Sequence, residues 1–362
     1  MGDNPFSLSV TPDFHALLQC IRRHATPRRV HFIELFIDPE VQQAVCQRFG
    51  LLERLDTSDP FFDLRSQIAL QRFLGYDYVR CGLENVDMPL RRLTTQDTAA
   101  LARQGGRSFV DEHTGPITSW AEFEAYPWPD PKRFDTRALE WYEKNLPDDM
   151  CVVGSGGFAH FAEYLSWLMG YETLCYALFE QPDLVAAIAQ RVLELNRAMI
   201  PSMLQFPRVK IIWGSDDMGF RNGTLISPPH LRKYVLPCHK EMARLSHEAG
   251  RPYLLHSCGQ LSLIMDDLIN DVRIDAKHSF EDTIEDVVAA KHAYGHRIAI
   301  LGGIDVDFLC RSSEAQIRQR VRDTLHACFP GGGYCLGTGN SVANYIPLEN
   351  YLAMLDEGRK FA

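Results

Sequence analysis

The sequence lacks long apolar runs, an excess of basic residues and an apolar leader. No stretch approaches the ~18 consecutive apolar residues that a membrane helix needs, so we expect no membrane partner. The formal net charge is −10, which argues against a nucleic-acid partner because neutralising phosphates takes a basic face. Since residues 1–12 show no secretory signal pattern, we expect a cytoplasmic protein.

The cysteines do not form a disulfide pattern. There are ten of them, scattered through the chain, and most lie in apolar context, as small buried hydrophobic residues do. A disulfide scaffold is improbable in a chain this long and rich in core residues. Only Cys258 and Cys335 lie where chemistry is plausible.

Short apolar runs alternate with longer amphipathic segments, which predicts a parallel sheet with helical connections. No GxGxxG fingerprint follows the first run, which disfavours a Rossmann fold. Because eight strands close a barrel, we predict a (β/α)8 TIM barrel, with residues 1–362 forming a single domain. The predicted strands are Val30–Phe36, Tyr76–Cys81, Met150–Gly154, Val209–Gly214, Pro252–Ser257, Val272–His278, Arg297–Gly303 and Gly333–Gly337. The predicted helices include Leu184–Met203, Pro228–Ala249, Glu314–Cys328 and Leu348–Phe361.

One segment breaks the alternation. Residues 86–131 are less regular, with a Gly-Gly pair and the run Trp128-Pro129-Asp130-Pro131. We interpret this segment as an irregular insertion near the barrel mouth.

Polar residues follow the predicted strands closely. In a TIM barrel the active site lies at the carboxyl ends of the strands, so these residues are the candidates for function. They are Glu34, Asp216, Asp217, His256, Cys258, His278, Asp305, Cys335 and Asn340.

His256 and Cys258 are two residues apart, so both side chains point to one side of an extended segment. Imidazole with thiolate is a pair that favours zinc, although a catalytic zinc usually has three protein ligands. The alternative is a polar strand end with an isolated thiol. Asp216 and Asp217 could be general acid–base groups or helix caps. His278 could be catalytic or a buried structural histidine.

The motifs taken in order resemble the uroporphyrinogen decarboxylase superfamily, most convincingly over residues 150–360. The resemblance implies the TIM barrel predicted above. It rests on Gly154-Ser155-Gly156-Gly157-Phe158, Leu255-His256-Ser257-Cys258-Gly259, Asp275-Ala276, Gly302-Gly303-Ile304-Asp305, Leu336-Gly337-Thr338-Gly339 and Pro347-Leu348-Glu349-Asn350.

Two activities dominate this superfamily. The arginine pair and the aspartate of the true decarboxylases are missing from residues 32–36 and 79–84, so the resemblance favours the corrinoid-dependent methyltransferases. That branch implies zinc held by His256 and Cys258, with a third cysteine after strand eight. Its position here is Thr338, so Cys335, Glu34 or an aspartate of the 216–217 pair completes the site.

The expected function is therefore that of a zinc-dependent methyltransferase. It would move a methyl group between a small methoxy, thiol or amine compound and a corrinoid carried by a partner protein. The predicted roles are catalysis for Asp216, Asp217 and His278, substrate binding for Glu34, Asp305 and Asn340, and metal binding for His256, Cys258 and Cys335. The alternatives are a metal-independent decarboxylase or other lyase and, more weakly, a non-catalytic tetrapyrrole- or corrinoid-binding module.

Overall fold

A seven-stranded parallel sheet forms the centre of the computed structural model, which describes residues 4–361. The spatial order of its strands is β1-β4-β5-β8-β9-β10-β11, which is also their order along the chain. The other strands form two antiparallel hairpins, β2-β3 and β6-β7. The strands are β1 (Tyr78–Cys81), β2 (Arg92–Thr95), β3 (Arg107–Val110), β4 (Cys151–Gly154), β5 (Val209–Ser215), β6 (Gly219–Phe220), β7 (Gly223–Thr224), β8 (Tyr253–His256), β9 (Ala276–His278), β10 (Ala299–Leu301) and β11 (Tyr334–Cys335).

Helices connect the strands of this sheet, as parallel pairing requires. A 3-10 turn at Pro131–Arg133 and a π-helical turn at Asp267–Val272 complete the regular structure. Among residues 4–361, no helix is both long enough and apolar enough to cross a membrane. The helices are α1 (Phe14–Ile21), α2 (Pro39–Phe49), α3 (Phe62–Leu74), α4 (Trp120–Ala125), α5 (Arg137–Asn145), α6 (Phe161–Met169), α7 (Tyr171–Glu180), α8 (Pro182–Leu204), α9 (Pro228–Tyr234), α10 (Leu236–Glu248), α11 (Val287–Tyr294), α12 (Val306–Arg311), α13 (Glu314–Cys328) and α14 (Leu348–Lys360).

The first predicted strand is the one that does not join the sheet as a full strand. Residues 30–36 contribute a single parallel bridge, Phe32–Leu336, so the sheet has seven strands where eight were predicted. The segment still contacts both edges of the sheet. Next to β11, the Ile33 N–H donates to the Leu336 carbonyl at 2.9 Å, and on β1 the Tyr78 hydroxyl accepts from the Glu34 N–H at 3.0 Å. The sheet is therefore curled, with residues 30–36 between its edge strands.

One predicted helix is two helices. Pro228–Ala249 was expected to be continuous, but α9 ends at Tyr234 and α10 begins at Leu236. Pro237 lies in the first turn of α10, and a proline inside a continuous helix would remove a backbone donor and clash with the preceding turn. The chain therefore restarts the helix there, where a proline is tolerated.

Residues 86–131 contain more regular structure than predicted, namely the hairpin β2-β3 and the short helix α4. The segment contacts residues that follow the strand ends. Arg103 pairs with Glu40 at 2.7 Å, and Arg107 hydrogen-bonds the side chain of Asn344. The Tyr171 N–H, at the start of α7, donates to the Glu112 carbonyl at 2.7 Å.

Candidate metal and substrate site

The register of the central strands aligns their carboxyl ends. Ser215 of β5 pairs with His256 of β8, which pairs with His278 of β9. His278 in turn pairs with Leu301 of β10. The polar residues that end or follow these strands therefore meet at one edge of the sheet, as the sequence predicted.

Asp217, His256 and Cys258 form a cluster at this edge, with one donor atom from each within 4.8 Å of the others. The Cys258 Sγ lies 3.3 Å from His256 Nε2, and the same nitrogen lies 3.5 Å from Asp217 Oδ1. Tetrahedral zinc with bonds of about 2.0–2.3 Å places its ligand atoms about 3.5 Å apart. The donor set and its spacing therefore fit one zinc ion, with a fourth position left for a substrate or water.

Close packing of two glycine loops brings Asp217 to Cys258. Gly259 has a φ of +86°, and a Cβ built there would lie 2.2 Å from the backbone carbon of Gly219. Only glycine allows this approach. The Cys258 N–H consequently donates to Asp217 Oδ1 at 2.9 Å, which fixes the carboxylate beside the thiol.

A second set of contacts holds the His256 ring and the Cys258 sulfur. His256 Nδ1 lies 2.8 Å from Nδ1 of His278, which leaves His256 Nε2 facing Cys258 and Asp217. Asn340 Nδ2 donates to the Cys258 Sγ at 3.2 Å, and the Ser279 hydroxyl donates to it at 3.4 Å. Such donors stabilise a thiolate, and orienting partners of this kind are typical around metal ligands.

The electrostatics of the cluster suit a cation. Burial opposes ionisation of Asp217, but the hydrogen bonds that it accepts from the His256 ring and from the Cys258 N–H lower the pKa of that carboxyl to about 2. Burial lowers the pKa of His256, which keeps the imidazole neutral. Burial and the neighbouring Asp217 charge raise the pKa of the Cys258 thiol. A bound divalent cation would reverse that last effect, because a coordinated thiol is deprotonated.

Two predicted site residues are engaged elsewhere. Cys335 is completely buried and lies beside Cys20 of α1, whose thiol donates to the Tyr334 carbonyl at 3.3 Å. The structure therefore does not bring Cys335 to His256 and Cys258. Asp216 is also completely buried, and its oxygens accept from the backbone N–H groups of Ala162 and Glu163 at 2.8 and 3.0 Å. Asp216 thus caps α6, which is one of the two roles predicted for it, the other being catalysis.

Glu34 lies against Thr338, the residue at the position of the family's third cysteine. The Thr338 N–H donates to Glu34 Oε1 at 2.9 Å, and its hydroxyl donates to Oε2 at 2.5 Å. Burial raises the pKa of Glu34 to about 8 despite these hydrogen bonds. Glu34 is therefore a neutral acid at pH 7, unlike Asp217.

Two cavities flank the cluster. One of about 370 Å³ is lined by Asp217 and Glu163, and burial raises the pKa of Glu163 to about 7. The other, of about 660 Å³, is lined by Asn340 and Asp305, both predicted substrate-binding residues. Asp305 also caps α12 by accepting from the Phe308 N–H at 2.9 Å.

Three neighbouring residues were not singled out from the sequence. Glu163 lies on α6, and Lys277 lies between Ala276 and His278 with its Nζ donating to the Ser279 carbonyl at 2.7 Å. Arg80 lies on β1 with its guanidinium 4.8 Å from the centre of the Trp213 ring. A charged residue inside an apolar strand is the signal that could have identified Lys277 and Arg80.

The fold and the cluster together define an α/β protein with a candidate metal centre at the carboxyl ends of its parallel strands. Residues 112–361 match the family model described as uroporphyrinogen decarboxylase (URO-D). Because that match spans more than half of the chain, the protein belongs to the uroporphyrinogen decarboxylase family.

Two known proteins refine the comparison. Over 133 residues the chain is 34% identical to a methylated-thiol–coenzyme M methyltransferase of Methanosarcina mazei, a match that spans 36% of this chain and 33% of that protein. The chain thus matches about a third of the length of this relative. A solved methyltransferase structure from Methanosarcina mazei superposes with a TM-score of 0.69 at 16% identity, covering 96% of this chain and 98% of the other. This second likeness shows the shared fold.

Proposed function

We propose that this protein is a zinc-dependent methyltransferase that moves a methyl group between a small thiol or related compound and a protein-bound corrinoid. The observation that carries the proposal is the Asp217–His256–Cys258 cluster. Its Cys258 Sγ and Asp217 Oδ1 lie 3.3 and 3.5 Å from His256 Nε2. Family membership and a relative that acts on methylated thiols support the methyl-transfer part.

His256, Cys258 and Asp217 would hold the metal, with Asp217 in place of the predicted Cys335. When bound, zinc lowers the pKa of a coordinated substrate thiol or alcohol and so supplies a nucleophile at neutral pH. Three neighbouring residues would hold these ligands in place. His278 orients the His256 ring, while Asn340 and Ser279 hold the Cys258 sulfur.

Proton and substrate handling would fall to the residues that line the two cavities. Glu163 has its pKa near neutrality, so it can accept or release a proton at working pH. Glu34, which was predicted to bind substrate, is buried with both carboxyl oxygens against Thr338, so it would hold the end of the eighth predicted strand in place. Asp305 and Asn340 would contact the substrate from the larger cavity, and the corrinoid-carrying partner would dock at this edge of the sheet.

The test is methyl transfer from free methylcobalamin to small thiols. The methyl group leaves cobalt(III) without its bonding electron pair and bonds to the thiolate, so the products are a thioether and cob(I)alamin, which absorbance reports. We expect enzyme-dependent transfer in the parent protein that Cys258→Ser abolishes. The control Cys175→Ser, which changes a half-buried free cysteine on α7, should retain it. If no thiol, alcohol or amine is methylated above the protein-free rate, the proposal is wrong and the metal-independent lyase becomes the better hypothesis.

A further inference from the structure

A second cluster of reactive side chains lies at the amino ends of the strands, opposite the metal cluster. Asp77 directly precedes β1 and is completely buried. Its carboxylate pairs with Arg29 and accepts from the Asp13 N–H at 2.6 Å. Asp77 Oδ2 also lies 2.7 Å from His31 Nδ1, and both side chains are inaccessible to solvent. Because the carboxylate oxygen is the acceptor in this contact, the proton of the His31 ring is on Nδ1.

The other nitrogen of His31 is free to act as a base. With the proton on Nδ1, His31 Nε2 is an acceptor, yet it is buried and has no hydrogen-bond partner among residues 4–361. A cavity of about 520 Å³ reaches this ring, and Cys20 of α1 lines the same cavity. A base that is oriented by a carboxylate and lies near a thiol is the arrangement that activates a nucleophilic cysteine.

Cys20 has a second thiol beside it. The Cys20 carbonyl accepts from the Gly333 N–H at 3.0 Å, and the Cys20 thiol donates to the Tyr334 carbonyl at 3.3 Å. Cys335, the next residue of β11, consequently lies beside Cys20. The Cys335 thiol holds the pKa of Cys20 below its usual range, against the effect of burial. Two adjoining thiols, one of which ionises readily, can form a reversible disulfide.

We propose that Cys20 is an oxidation site and that Cys335 converts its oxidised form to a disulfide. The oxidant is a hydroperoxide small enough to enter the cavity, of which hydrogen peroxide is the simplest. This site shares no residue with the metal cluster, so it stands or falls independently of the proposed methyl transfer.

The chemistry takes two steps. His31 Nε2 accepts the Cys20 proton, and the thiolate attacks one oxygen of hydrogen peroxide, so that an S–O bond forms while the O–O bond breaks. The departing hydroxide takes the proton from His31 and leaves as water, which makes Cys20 a sulfenic acid. The Cys335 sulfur then displaces the hydroxyl group from Cys20, and a second water carries away the Cys335 proton as the S–S bond forms. Two thiols are thus oxidised and one peroxide is reduced to water.

The test treats the protein with hydrogen peroxide and identifies the oxidised cysteines by mass spectrometry after alkylation of the remaining thiols. We expect a disulfide between Cys20 and Cys335 that dithiothreitol reverses, while Cys151, which is also completely buried, stays reduced. Cys328 lies on the same tryptic peptide as Cys335, so fragment ions assign the bridge to one of the two.

Three variants separate the roles of the residues. Cys335→Ala should leave Cys20 as a sulfenic acid, which a 1,3-dione labels. Cys328→Ala removes another completely buried cysteine of the same peptide, and as the matched control it should keep the disulfide. His31→Asn keeps a donor to Asp77 but removes the base, and it should slow the oxidation of Cys20 by about 10-fold or more.

Three results would each overturn the proposal. One is a Cys20 thiol that peroxide oxidises no faster than Cys151 in the parent protein. Another is a disulfide that joins Cys20 to a cysteine other than Cys335. The third is an unchanged rate of Cys20 oxidation in His31→Asn, which would remove His31 from the reaction.

Discussion

Replacing Glu34 by glutamine should change how the stability of the protein depends on pH. Burial raises the pKa of Glu34 from 4.5 to about 8 in the folded protein. The unfolded chain therefore loses this proton near pH 4.5, whereas the folded protein keeps it until pH 8. The contribution of Glu34 to the free energy of unfolding is complete below pH 4.5 and is lost as the pH rises to about 8.

The magnitude follows from linkage. Between the two pKa values the folded state holds one more proton than the unfolded state, so the free energy of unfolding falls by about 1.4 kcal/mol per pH unit. From about pH 5.5 to 7.5 the parent protein should lose about 2.7 kcal/mol relative to Glu34→Gln. Glutamine keeps the size of the side chain and has no charge to bury.

Urea denaturation of both proteins at several pH values between 5 and 8 measures this difference. The control is Glu349→Gln, in which a glutamate with a 66% exposed side chain is replaced, and its profile should follow that of the parent. Parallel profiles for the parent protein and Glu34→Gln would refute the assignment of Glu34 as a buried neutral acid.

Three further predictions test individual parts of the site and its surroundings. Asp216→Ala should destabilise the protein by about 2–4 kcal/mol in urea denaturation. The change leaves the first N–H groups of α6 without their acceptor, and likewise the buried His239, whose Nε2 lies 2.9 Å from Asp216 Oδ2; an unchanged midpoint would contradict this. His278→Ala should weaken zinc binding about 10- to 100-fold in competition with a chelator, because it removes the group that orients His256; unchanged affinity would assign His278 to packing alone. Hydrogen exchange of residues 86–131 should slow when a corrinoid protein binds, since this segment contacts the residues after the strand ends; an unaltered rate in a formed complex would place the docking surface elsewhere.

Much of the fold follows from local sequence signals. The helix Glu314–Cys328 was predicted from its helical pattern with its observed bounds, and in the structure Ser313 caps its first turn. Seven strands were located from short apolar runs. Residues 30–36 have the same composition, yet they form only the Phe32–Leu336 bridge. Strand pairing depends on how far the sheet curls, and no local pattern encodes that.

Most residues of the candidate site could be predicted from the sequence, but which of their side chains contact each other could not. His256 and Cys258 were identified from their spacing. Asp217 was predicted to be a catalytic carboxylate, and an aspartate of the 216–217 pair was one of the alternatives for the third ligand. The position of Asp217 beside Cys258 depends on the contact between Gly219 and Gly259, which are 40 residues apart in the chain. Cys335 was expected at the metal because it lies near a strand end, but its thiol meets Cys20 on α1, a long-range contact.

Metal content is the most direct test of the central claim that Asp217, His256 and Cys258 hold one zinc ion. The measurement is elemental analysis of protein purified without chelators and then incubated with zinc and desalted. We expect about one zinc per chain in the parent protein and in Cys335→Ala, and a loss of most of the metal in Asp217→Asn and Cys258→Ser. Zinc that is retained in Asp217→Asn but lost in Cys335→Ala would contradict the assigned ligands, and a parent protein that binds no zinc would contradict the account as a whole.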